Sequence, residues 1–175
     1  MPPTLLPDSG PLITLAYARR LDLLLRPGWP LQVVDMVLHE VTRKKTPNGD
    51  AIADFVTQHQ IPVIETAAFR HYHERMEAAK TGATVPNKKG LGELALQEVI
   101  HQLVLAEPSQ AAVLLFEDHK IASTHFCLPE STLRVTTHAF LLTLEEKGWI
   151  DSAAEIERAA IQAGRLFSQL KKGNW

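Results

Sequence analysis

Five acidic residues of this 175-residue chain stand where chemistry could be done: Asp8, Glu40, Glu93 and the adjacent Glu117 and Asp118. Each has an ordinary explanation. Asp8, before Ser9, suits a helix cap. Glu40 is spaced to pair with Lys44 at i,i+4. Glu93 opens a helix, where negative charge is favoured, and Glu117-Asp118 reads as a turn into a short helix. Taken together they ask for more. Each is flanked by apolar residues that draw it partly out of water, and crowded carboxylates repel one another and hold protons unless a cation joins them. Other chemistries lack their residues. There is no Ser-His-Asp arrangement and no glycine-rich phosphate loop with a following Lys-Ser/Thr. Cys127 is the single cysteine, which excludes an internal disulfide and a multi-thiolate zinc site. His71 and His73 do not share a helical face and read as surface, as does His119 in a loop.

The elements that must position these acids alternate between short apolar runs and helical stripes. Strands are expected over 4–6, 31–34, 61–64, 111–116 and 133–136. Helices are expected from Ser9 to the Pro27-Gly28 stop, and over 36–45, 51–59, 69–80, 91–105, 139–147 and 152–171. Pro47-Asn48-Gly49 reads as the end of the helix at 36–45, and Ser152 with Glu155 as a capping box. The uninterrupted apolar run at 111–116 suits a parallel strand buried on both faces. The fold class is therefore α/β: a parallel central sheet flanked by helices, with a C-terminal helical extension. In such a sheet, ligands bind beyond the carboxyl ends of the strands at a switch in strand order. Asp8 and Glu117-Asp118 follow strands at that edge, and Glu40 and Glu93 lie in helices entered from it. Pro7 is tolerable in a central strand only at its end.

These segments resemble the PIN domain family. Leu5-Leu6-Pro7-Asp8-Ser9-Gly10-Pro11-Leu12-Ile13 is similar to its opening strand and first acid, and Val37-Leu38-His39-Glu40-Val41 to its second acidic segment. Gly92-Glu93-Leu94-Ala95 is similar to the third, and Leu114-Leu115-Phe116-Glu117-Asp118-His119-Lys120-Ile121-Ala122 to the fourth. The stretch from Val135-Thr136-Thr137 to Lys147-Gly148-Trp149-Ile150 looks like the closing strand and helix. The nearest resemblance is to prokaryotic PIN ribonucleases with a Gly-Glu third motif, a group related to VapC toxins. It covers roughly residues 4 to 150, so a PIN-like nuclease domain is expected over 1–150. A C-terminal helix over 151–175 would pack on that domain or on a partner.

The resemblance implies a Mg²⁺- or Mn²⁺-dependent ribonuclease, possible toxin of a toxin–antitoxin pair, with RNA as substrate and an antitoxin protein as partner. An all-carboxylate site suits those cations, which prefer oxygen ligands. Asp8 and Asp118 are then the expected innermost ligands, with Glu40 and Glu93 completing the shell. The fourth segment offers two acids, and Glu117 stays open as an alternative to Asp118. Lys88 and Lys89, just before Glu93, are expected to meet substrate phosphates. Thr136 or Thr137 would position a ligand or cap a helix. A catalytically silent PIN-like interaction module is the alternative function. A receiver-like phosphoacceptor domain ranks low, because Asp8 stands alone after its strand.

Composition fits one such domain. Hydrophobic residues are 45% and charged residues 22% of the chain, enough for a sizeable core. A net charge of −2 argues against a general nucleic-acid coating protein. No apolar run is long enough for a membrane span and no leader pattern opens the chain, so a cytoplasmic setting is expected. On the last helix, Ile156, Ala160, Ala163, Phe167 and Leu170 form a heptad-type seam. That stripe must pack on its own domain or on a partner chain, and a homodimer held in part by this helix is expected.

Overall fold

Burial on both faces decides which strands form the centre of the sheet. The residues described by the computed structural model are 2–117 and 127–166. β1 (Thr4–Pro7) and β4 (Ala112–Phe116) are buried at every position. They run parallel, Thr4 against Ala112 through Pro7 against Leu115, and β4 pairs in parallel with β5 (Thr132–Thr136). β2 (Val33–Val34) and β3 (Val63–Ile64) form a second parallel pair. A single bridge, Leu5 to Leu31, joins that pair to β1. The order across the layer is thus β3-β2-β1-β4-β5, and the chain changes direction of growth between β1 and β4. That is where a parallel sheet opens a crevice. Pro7 takes the last position of β1, where no ladder donor is missed, and the Asp8 N–H resumes the pairing to Leu115 O at 2.8 Å.

The helices are α1 (Ser9–Tyr17), α2 (Asp35–Thr42), α3 (Pro47–Gln58), α4 (Ala67–Lys80), α5 (Leu91–Ala106), α6 (Thr137–Glu146) and α7 (Ala153–Gln162). Leu5, Leu6, Leu12, Leu15, Leu96 and Leu114 are sealed between them and the sheet. The mixed α/β class is as expected. Among the described residues no helix is long and apolar enough to cross a membrane.

Three expected boundaries are corrected. The first helix does not run on to Pro27: it stops at Tyr17, and a short 3-10 helix (Leu21–Leu25) follows. The stop is a Schellman turn, with Arg19 N–H to Ala16 O and Arg20 N–H to Leu15 O. Its left-handed residue is Arg19 (φ 55°), not the usual glycine. Pro47-Asn48-Gly49 does not end a helix but starts α3. Thr46 Oγ1 accepts the Gly49 N–H at 3.1 Å, and Pro47 sits where its missing N–H has no consequence. The last helix ends at Gln162, well short of 171, because Gly164 (φ 105°) closes it in a second Schellman turn. Ile156 and Ala160 are buried where α7 packs on α1 and α6, while Ala163 is exposed. The seam therefore serves its own domain as far as Ala160, and Phe167 and Leu170 lie outside the described residues. At Ser152 the cap forms, Oγ accepting the Glu155 N–H at 3.3 Å, and Glu145 caps the neighbouring Ala153 N–H at 2.7 Å.

The strand ends are held together by a buried carboxylate, Asp35. Its Oδ1 accepts from the Met36 N–H (2.6 Å) and the Thr66 hydroxyl (2.8 Å), and its Oδ2 from the Thr66 N–H (2.6 Å). This ties the exit of β2 to the start of α4, whose next two N–H groups are capped by Glu98 from α5. Asp35→Ala would strand buried donors, so a loss of about 3 kcal/mol in denaturant unfolding is expected. A loss under about 0.5 kcal/mol, the range of ordinary surface changes, would show that the tie is idle.

Candidate active site

Each acid reaches the crevice by a different local route. Asp8 follows β1 at the N-cap position of α1, with extended backbone (φ −74°, ψ 174°), yet its side chain makes no capping bond. The capping explanation for it therefore fails. Glu40 lies in the last turn and a half of α2, and no ion pair joins it to Lys44 among the described residues. Glu93 is in the first turn of α5, after Gly90 (φ 78°), and Glu117 follows β4 directly.

Two glycines permit the approach. A Cβ at Gly92 would stand 3.0 Å from both carboxylate oxygens of Glu40, so the bare position leaves that carboxylate where it is and a side chain would make it shift. A Cβ at Gly10 would stand 3.0 Å from Glu117 Cβ, which lets the start of α1 lie against the end of β4. The glycines beside the acids in Asp8-Ser9-Gly10 and Gly92-Glu93 are thus part of the site's geometry.

The electrostatics link the acids. Burial pushes the Asp8 carboxyl up to about 6, aided by the negative charges of Glu93 and Glu117 and opposed by hydrogen bonding from Ser9. Burial likewise raises Glu40 to about 7, aided by Asp8 and Glu93 and opposed by Arg43 and Ser9. Asp8, Glu40 and Glu93 thus form one field, with Glu117 at its margin. Asp118 lies outside the described residues.

The donor set matches a hard divalent cation in kind: oxygen only and partly desolvated. Its spacing is looser. Among the described residues no three His, Cys, Asp or Glu side chains already converge as a metal-ligand group. The carboxylates interact through space without closing on a point.

The expected substrate contacts stand as follows. Lys88 and Lys89 lie in the loop that enters α5; Lys89 is exposed, Lys88 half-buried, and neither forms an ion pair with the acids among the described residues. Thr136 ends β5 on the same edge, and its Oγ1 accepts the Ala139 N–H at 3.1 Å, capping α6. Among the described residues its hydroxyl donates no hydrogen bond.

Sequence reasoning missed Arg165. Beyond the turn at Gly164, its guanidinium donates to Thr14 Oγ1 on α1 (2.9 Å) and to Glu117 Oε2 (2.9 Å). The Gly164-Arg165 pair signals a helix stop, but nothing local says where the arginine goes. Comparisons with protein-family models, with curated proteins and with solved structures returned no match.

Proposed function

We propose that the chain is a PIN-type endoribonuclease that hydrolyses phosphodiester bonds of RNA with Mg²⁺ or Mn²⁺. The observation that carries this reading is Asp8: a carboxylate raised to about 6 at a helix N-cap it does not cap, within the field of Glu40, Glu93 and Glu117. Acids buried in each other's company destabilise a fold, and a cation-dependent activity gives them a use. The parallel strands, with Asp8 and Glu117 at their carboxyl ends, support the reading.

Asp8, Glu40 and Glu93 would hold the cation, with Asp118 the remaining ligand that the resemblance implies. Bound there, the cation lowers the pKa of a water and offsets charge on the scissile phosphate. The chain's own groups supply the rest. Without the cation Glu40, raised to about 7, holds a proton that it must give up to bind one. Lys88 and Lys89 offer charge to the phosphates flanking the cut, and Thr136 a hydroxyl. A toxin–antitoxin role, with an antitoxin protein covering this edge, and a homodimer belong to the same proposal.

The looseness of the acid cluster favours a second reading, a catalytically silent PIN-like interaction module. One assay separates them. Purified protein is expected to cut single-stranded RNA with Mn²⁺ and to stop when the metal is chelated. Replacing Lys88 and Lys89 by Ala should weaken RNA binding more at low salt than at high salt. Protein that binds Mn²⁺ and RNA but leaves the RNA whole selects the silent module.

A further inference from the structure

Arg165 reaches the acidic edge from more than forty residues beyond Glu117, and its geometry is specific. The Arg165 N–H closes the turn after α7 on Ala160 O at 2.9 Å, and α7 is itself packed on α1. The guanidinium then spans Thr14, whose side chain is fully buried, and Glu117. The side chains of Arg165 and Glu117 are 20% and 14% exposed, so the pair is largely out of water. Glu117 also lies close to Gly10, where an added Cβ would stand 3.0 Å from Glu117 Cβ and 3.3 Å from Oε2.

We propose that Arg165 is a positioning residue that holds Glu117 on the α1 side of the β4 end and keeps it out of the cation site. The segment after α7 thereby sets how many carboxylates the site presents. The inference rests on the cation reading above for its consequence, and on the observed ion pair for its geometry. It makes Glu117 a structural carboxylate at the end of β4. It also makes residues after 150 part of the site instead of an appendage, since Arg165 closes the site's margin from beyond α7.

The test uses the full chain and Mn²⁺ binding by calorimetry, beside thermal melting. In Glu117→Gln, Mn²⁺ affinity should stay near the wild-type value. In Arg165→Gln that hold on Glu117 is lost, and Mn²⁺ should bind about tenfold more tightly, because affinity rises with ligand charge. Adding Glu117→Gln to Arg165→Gln should erase that gain, and Arg165→Lys, which keeps the charge, should recover most of the wild-type affinity. A purely structural arginine would change melting without this pattern. Loss of Mn²⁺ binding in Glu117→Gln overturns the proposal, as does unchanged affinity in Arg165→Gln. If the wild type binds no Mn²⁺, the cation reading fails, and melting of the four proteins still judges the pair. Non-additive losses would keep Arg165 as the group that positions Glu117, and additive losses would overturn that too.

Discussion

Asp8→Asn is expected to melt above the wild type at pH 7.5 without divalent cation, and to cut no RNA. At that pH the wild type must ionise a carboxyl whose folded pKa is about 6, against an ordinary 3.8. That difference corresponds to about 3 kcal/mol of destabilisation. Asparagine removes the charge but leaves a buried amide, so a gain of about 1–2 kcal/mol is the realistic share. For a chain this size that is a rise of about 2–8 °C. Cleavage should fall by more than about 100-fold, since losing even the partners behind a metal ligand costs about 10–100-fold in affinity or activity. Gained stability with lost activity is the signature of a site residue kept against the interest of the fold. A variant that melts lower and still cuts would remove Asp8 from the site.

The second large effect is a reversal by Mn²⁺ of the protein's own pH dependence. Asp8 and Glu40 both have folded pKa values above their ordinary ones, about 6 and about 7. Between about pH 4 and 7 the folded state therefore binds more protons than the unfolded state, and stability falls as pH rises. The favourable contribution is complete below the ordinary carboxylate range and lost as pH passes through the folded values. Glu40, only half-buried, contributes less than its shift alone implies, because solvent screens it. Mn²⁺ at a hundredfold excess over Kd should restore about 2.7 kcal/mol at pH 7.5, a rise of about 5–10 °C. At pH 5 the rise should shrink, because protons occupy the same oxygens. Melting curves at the two pH values, with and without Mn²⁺, decide it. Equal Mn²⁺ shifts at both, or none at either, would separate the cation from these acids.

The places of Asp8 and Glu117 were legible because each is announced locally. An apolar run fixes a strand, and the residue after it falls at the carboxyl edge, as with Leu5-Leu6-Pro7-Asp8 and Leu114-Leu115-Phe116-Glu117. The short strands were located to within a residue or two for the same reason. The misread boundaries depended on backbone choices with ambiguous signals. Arg19 adopts a conformation usually left to glycine, and Pro47-Asn48-Gly49 carries residues as suited to opening a helix as to ending one. Asp35 and Arg165 were invisible as partners for another reason. Their contacts join residues far apart in sequence, Asp35 to Thr66 and Arg165 to Thr14 and Glu117, and no local pattern encodes such a meeting.

The pairing of β1 with β4 also sets a timetable. Thr4 meets Ala112 across more than a hundred residues of intervening chain, so the first strand made has no neighbour on that side until the fourth is synthesised. Parallel pairings of this reach form slowly, because a long loop must close before any contact rewards it. On a nascent chain the apolar Leu5-Leu6 strand would wait, held by β2 through one narrow bridge. Asp8 could not face Glu93 and Glu117 before that closure, and Arg165 would arrive later still. A chain that is only part-made would carry all the letters of the first three acidic segments and no assembled site.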